Sequence, residues 1–404
     1  MRMPRADHCA LVDAALGPVR RVAVLRALML GDMLCAVPAL TSLRQRFPHA
    51  HIALVGLPWA REWVERLSCV DEFIAFPGHP GLPEQGPPDE LAQSAFLAMM
   101  RGRCWDLAIQ LHGSGRLTNE LVSRWGARHV AAFHEPALQP PEPLLAVPWP
   151  TQGTEAARLA SLLSVFGEAV AETVPGDAVF PLRPSDREAA RALLREHGAE
   201  PGRPWICLHA GAQWPSRRWP PARFAQVGRA LAAAHDVTLV LTGVASEAQV
   251  VSGVEAALQG LGPSRCVNLV GQTPLWTVGA LIEGASLLVS NDTGVSHIAA
   301  ALGTPSVVVS CGAEVARWAP GRPDLHRVLW ADVPCRPCMH ARCPTAHECA
   351  MAVWPMDVVD HALSLLDETS RPEGPHPASQ PRLRPHSPHE QEPAWPRLPS
   401  DPFL

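Results

Sequence analysis

The chain has 404 residues, 34 Lys+Arg against 39 Asp+Glu, and a formal net charge of −5. Its length exceeds what one hydrophobic core serves, so about two domains are expected, and 47% hydrophobic with 18% charged residues excludes a disordered or fibrous chain. The acidic balance argues against a nucleic-acid-coating protein, and the absence of lysine makes every fixed positive side chain an arginine.

Residues 1–20 read as an N-terminal extension. The apolar run 9–16 is short and broken by Asp13, a poor signal-peptide core, and no stretch reaches the length of a spanning helix, which points to a cytoplasmic protein. Residues 22–25 predict a strand, followed by a loop ending Leu30-Gly31-Asp32 and a helix to about Arg46. Further strands are expected at 52–56, 72–76 and 105–111, with a helix at 58–67. The stretch 134–154 is proline-rich and aperiodic, a helix follows at 155–167, and the interdomain linker is placed at 173–185. A second alternating set follows, with strands at 205–209, 237–242, 286–291 and 306–310 and helices at 220–234, 246–258, 274–284 and 295–302. Apolar strands alternating with amphipathic helices imply two α/β, Rossmann-like halves, 21–175 and 186–368, facing a cleft. The tail 369–404 is read as disordered, with ten prolines in the 34 residues from Arg371.

Three segments carry chemistry. Asp292-Thr-Gly-Val-Ser-His297 lies between a strand and a helix, where Thr293 and Gly294 offer backbone amides to a diphosphate and His297 sits one turn into the helix. Alternatively, Asp292 or Thr293 caps that helix. The segment 209–220 sets Arg217 and Arg218 beside Trp214 and Trp219, and guanidinium groups make bidentate partners for phosphate, although adjacent loop arginines are also common as solvated charges. Asp32 is either a helix cap or a general base for an acceptor hydroxyl.

Taken together, 21–34 with Val37-Pro-Ala-Leu40, the Gly-Ala-x-Trp-Pro-Ser-Arg-Arg-Trp-Pro block, Leu241-Thr-Gly243 and the run 291–305 resemble the heptosyltransferase family of glycosyltransferases, family nine, in order and across about residues 20–365. The resemblance implies a GT-B architecture and inverting, metal-independent transfer with no required cofactor. The donor it implies is a nucleotide sugar, typically ADP-heptose, and the acceptor a lipopolysaccharide core or other surface glycan, with transient contact at the inner membrane surface. Asp32 matches the family's catalytic base. Arg217 stands where better known members carry a lysine that meets the donor phosphates. Asp292, Thr293, Gly294 and His297 match the donor loop, and Gly31, Gly211, Arg218 and Thr242 lie in the matching motifs and join the donor-binding set. Ser310-Cys-Gly312 departs from the pattern, which usually has an aromatic residue before the glycine. The same fold also hosts nucleotide-sugar epimerases, and a binding protein that has lost turnover would keep these loops.

Cys335, Cys338, Cys343 and Cys349, with His340 and His347 between them, are spaced like a structural zinc or other metal site. Reduced or partly disulfide-bonded cysteines bracing a loop are the other reading, since similar segments occur in the family without an established metal need.

Overall fold

The computed structural model describes residues 14–82, 84, 89–135, 144–167 and 179–369. The N-terminal 13 residues and the proline-rich tail from residue 370 lie outside them. The chain divides between Pro181 and Leu182 into two compact units.

The first unit holds a six-stranded, wholly parallel sheet of β1 (Arg21–Leu25), β2 (His51–Gly56), β3 (Glu72–Ala75), β4 (Leu107–Gln110), β5 (His129–His134) and β6 (Leu144–Pro148), in the order β3-β2-β1-β4-β5-β6. Val22 to Leu25 are buried on both faces, as the unbroken Val-Ala-Val-Leu run requires of a central parallel strand. β6 lies within the stretch that reads as aperiodic. Its Pro148 is accommodated because the strand is at the sheet edge, paired with β5 alone.

The second unit repeats the plan with β7 (Trp205–His209), β8 (Thr238–Leu241), β9 (Cys266–Asn268), β10 (Leu287–Asn291), β11 (Ser306–Val309) and β12 (His326–Leu329), ordered β12-β11-β10-β7-β8-β9 and again parallel. Numbered within their own units, both sheets read 3-2-1-4-5-6, the doubly wound order. The expected alternation holds in both. The helix Pro184–Glu196 starts with proline at its first position, inside the stretch read as linker, and its Arg187 forms a two-pronged ion pair with Glu283 (2.5 and 2.6 Å). In the second unit the core gathers Trp219, Phe224 and Leu231 with the strand residues Ile206, Leu208 and Leu239 and the late helical residues Val358, Ala362 and Leu365. In the first it centres on Leu25, Val55, Trp105 and Trp125.

This topology matters for function because the order reverses between β1 and β4 and between β7 and β10. At such switch points the loops leaving adjacent strands run in opposite directions and open a crevice at the strands' carboxyl ends.

Candidate active site

In the first unit, Asp32 lies seven residues beyond the end of β1. The helix Leu30–Arg46 begins two residues before Asp32 rather than after it, with Met29 as N-cap and no side chain capping it. Asp32 is therefore the third residue of the helix, half-buried, and the capping alternative does not hold. A carboxylate in a first turn is favoured by the helix dipole.

Beneath it is Arg26, 0% exposed. Its Nε donates to the Asp32 carbonyl (2.8 Å), its Nη1 to the Leu111 carbonyl beyond β4 (2.5 Å), and its Nη2 faces Glu155 Oε1 at 3.4 Å, a carboxylate 2% exposed. One guanidinium thus joins the β1 turn, the end of β4 and the helix Glu155–Ala160. Buried His112 accepts from the Ala27 amide through Nδ1 (3.3 Å), which leaves its proton on Nε2. Burial, reinforced by the Arg26 charge, pushes His112 down to about 4, so its imidazole is neutral near pH 7. Gly31, the second helical residue, is half-buried.

In the second unit the loops after β7 and β10 are joined by Asn291, itself 0% exposed. Its Oδ1 accepts from the Trp219 amide (2.8 Å) while its Nδ2 donates to the carbonyls of Ala210 (2.8 Å) and Gly211 (3.2 Å). The two segments that the sequence singles out are therefore one structure. Thr293 is the N-cap of the nine-residue helix Gly294–Leu302, but neither it nor Asp292 caps by side chain. The Thr293 carbonyl instead receives the amide and hydroxyl of Ser296 (3.0 and 2.7 Å). The helix N-terminus keeps the partial positive charge that suits an anion.

Asp292 accepts from Ser310 Oγ at 3.2 Å. Burial pushes its carboxyl up, against the opposing pull of His297, Ser310, Arg217 and Arg336. Arg217 closes a 3₁₀ turn, Pro215–Arg217, and donates through Nη1 to the Cys311 carbonyl (3.2 Å) and through Nη2 to the Cys338 carbonyl (2.6 Å). Two of its five N–H bonds are thereby engaged. Arg218 likewise braces its own loop, Nε to the Ala212 carbonyl (2.8 Å). Neither arginine is the freely solvated charge that a loop position suggests.

Thr242 is buried, with Oγ1 3.0 Å from His209 Nδ1, and His209 Nε2 faces Glu247 Oε2 at 3.8 Å. Burial pushes His209 down, with Glu247 opposing. Glu247 accepts from the Val244 amide (2.9 Å) and lies against Gly211, where an added Cβ would sit 2.1 Å from its Cδ. Glu247 was not among the residues expected to matter. It stands at the second position of the helix expected over 246–258, and only the fold brings it under Gly211. Arg336 was missed too; its Nη2 donates to the Ser310 carbonyl (2.6 Å), beside Asp292.

The cysteine segment is tied to the Arg217 turn. Ser216 donates its amide to Ala341 O (3.1 Å) and its hydroxyl to His340 O (2.5 Å), His347 Nε2 meets Ser216 O (2.9 Å), and the Cys338 amide donates to Gly312 O (2.7 Å). Cys335, Cys338, Cys343 and Cys349 are free thiols lining one cavity of about 70 Å³. Burial pushes Cys349 up to about 11. Among the described residues no three histidine, cysteine or acidic side chains are grouped to hold a metal ion. No helix among them is long and apolar enough to cross a membrane.

Residues 157–348 match the model of glycosyltransferase family 9 (heptosyltransferase). Lipopolysaccharide heptosyltransferase 2 of Salmonella typhimurium is 27% identical over 312 residues, covering 76% of this chain and 84% of that protein. Among solved structures, the family 9 glycosyltransferase of Veillonella parvula superposes with a TM-score of 0.69 at 20% identity, covering 86% of this chain and 98% of the other. The ADP-heptose lipopolysaccharide heptosyltransferase II of E. coli gives 0.65 at 20% identity, covering 87% and 100%. These two superpositions establish the GT-B fold. The family match over residues 157–348 and the relatives support a heptosyltransferase-like protein of glycosyltransferase family 9.

Proposed function

We propose that this glycosyltransferase moves a heptose from a nucleotide-diphosphate donor, ADP-heptose, to a lipopolysaccharide core or related surface glycan. The observation that carries the reading is the Asn291 carboxamide, which binds the loop after β7 to the loop after β10 and sets Gly211, Arg217 and the amides of Thr293 and Gly294 around one switch point. The relatives named above, heptosyltransferases by name, support the choice of sugar.

In this reading the diphosphate lies at the N-terminus of the helix Gly294–Leu302, with Arg217 and Arg218 supplying positive charge, His297 facing the ligand, and Gly211, Thr242 and Asp292 shaping the donor pocket. Gly31 completes the donor-binding set from the first unit. Asp32 takes the proton from an acceptor hydroxyl as that oxygen forms its bond to the anomeric carbon. The bond from that carbon to the diphosphate oxygen breaks in the same displacement, so the stereochemistry inverts. The electron pair leaves with the nucleotide, and Arg217 with the 293–294 amides stabilises it, a task that many transferases give to a divalent metal. We assign the cysteine segment the role of bracing the Arg217 turn, to which it is tied through Ser216, His340 and Cys338. The enzyme would act in the cytoplasm, peripherally at the inner membrane where the acceptor is embedded.

The test is product analysis with ADP-, GDP- and UDP-sugars, with and without a heptose-deficient lipopolysaccharide acceptor and with chelator present. Acceptor-dependent heptosyl transfer from the ADP donor, unchanged by chelator, is expected. Conversion of the nucleotide sugar without acceptor would make the protein an epimerase, and thermal stabilisation by UDP-sugars alone would overturn the donor.

A further inference from the structure

The first unit contains a cavity of about 340 Å³ that none of the candidate site residues lines. Its apolar side is a chain of three aromatic rings, Phe76, Phe96 and Trp125, packed edge to face with centroids 5.9 and 6.3 Å apart. Phe76 follows directly on β3, Phe96 comes from the helix Glu90–Gly102, and Trp125 follows the helix Thr118–Ser123. Its polar side is set by His79, Glu90, Gln93 and Arg124.

Two hydrogen-bond donors at this cavity are buried without a partner. Trp125 is 0% exposed and its Nε1–H has no acceptor, and the Gln93 Nε2 is likewise buried and unpaired. Trp63 and Trp105 also carry unpaired indole N–H groups, but neither lines this cavity. A buried N–H left unpaired costs free energy, and two at the wall of one cavity point to a ligand that supplies the acceptors.

The donors define that ligand. His79 Nδ1 accepts from the Gly81 amide (3.2 Å), which puts the imidazole proton on Nε2 as a further donor. With the indole, the carboxamide and the Arg124 guanidinium, donors outnumber the one carboxylate acceptor, Glu90. A ligand rich in oxygen acceptors, with at least one hydroxyl hydrogen for Glu90 and an apolar face for the rings, is a sugar ring. The volume suits one ring with attendant water and lies at the small end of ligand sites. We propose that this cavity is a saccharide subsite that takes one pyranose unit of the acceptor glycan, away from the reacting hydroxyl. The assignment of that sugar to the acceptor rests on the transferase reading; the binding of a sugar ring does not.

The experiment uses the full chain and two probes, methyl α-D-glucopyranoside and D-glucuronate, followed by saturation-transfer NMR. The variants are Trp125→Phe, which keeps the ring and removes the N–H, and Gln93→Ala, on a half-buried helical position whose loss leaves the fold intact. Binding of at least one probe, weakened fivefold or more in both variants while stabilisation by ADP is unchanged, is expected. Preference for glucuronate would show Arg124 engaging an acidic substituent. No saturation of either probe, or binding undiminished in Gln93→Ala, overturns the subsite. Sugar binding in a protein with no heptosyl transfer would leave the subsite standing and remove the transferase reading instead.

Discussion

Arg26 Nε donates to the main-chain carbonyl of Asp32 across 2.8 Å, so the proposed base is held through its own peptide by a cation that never meets solvent. The same guanidinium holds Leu111 and faces Glu155. Arg26→Met would leave the buried Glu155 without this cation and two carbonyls without these donors. Removing one partner of a buried pair costs about 3–5 kcal/mol. The melting temperature is expected to fall by roughly 6–20 °C. Arg26→Met/Glu155→Met should recover part of that loss without recovering turnover. A single variant that melts with the parent would show that the anchor does not exist.

Asp32→Asn keeps the shape of the side chain and removes its basicity. The helix keeps its N-cap, Met29, in this variant. Loss of a general base typically costs about 10²–10⁴ in rate, so kcat should fall by that factor with the donor KM unchanged. Full turnover in this variant would remove Asp32 from the chemistry.

Arg217 separates two effects, because its guanidinium both reaches an anion and holds the Cys311 and Cys338 carbonyls. Arg217→Ala should lower kcat/KM for the donor by about 10²–10³, the scale of a lost charge stabiliser. Arg217→Lys keeps the charge but not the planar fork, so it should restore part of the rate. An alanine variant with unchanged donor KM and kcat would refute the phosphate role.

Much of the fold was legible because its signal is local. The alternation of apolar strands and helices needs only neighbours in sequence, and so do the small-residue turns at 209–212 and 291–294. β6 was hidden because prolines, which usually interrupt strands, are tolerated at a sheet edge, and edge position is a property of the whole sheet. The site divides in the same way. Asp32, Arg217 and Asp292 stand in recognisable motifs. Arg26 is visible in sequence, but its partner Glu155 is 129 residues away, and nothing near either one marks the pair. Both loop arginines donate to main-chain carbonyls, which leave no trace in side-chain composition.

Gly211 tests how tightly the donor loop is built. A methyl group there would lie 2.1–2.3 Å from the carboxyl atoms of Glu247, which is itself held by the Val244 amide. Overpacking of this kind costs about 1–3 kcal/mol. Gly211→Ala should therefore melt lower and bind ADP more weakly. Adding Glu247→Ala should relieve the collision and restore stability. Equal melting of Gly211→Ala and the parent would show that Glu247 moves away freely.

The last prediction concerns acid. Burial, with help from Arg26, holds His112 at about 4 in the folded chain, against an ordinary value of 6.5. Between those values the unfolded chain takes up a proton that the folded chain refuses, so stability falls as pH drops from 6.5 towards 4 and is fully present above 6.5. The displacement corresponds to roughly 3 kcal/mol at its acid limit. His326, also pushed down to about 4 by burial and then Arg322, titrates in the same window. His112→Asn keeps an acceptor for the Ala27 amide and removes the titration. Its melting temperature should lose less than the parent's between pH 7 and pH 5, where most carboxylates stay ionised; the remaining loss comes from the other histidines that burial holds down, His209, His326 and His361. Parallel slopes for variant and parent would mean that His112 is not held neutral beside Arg26.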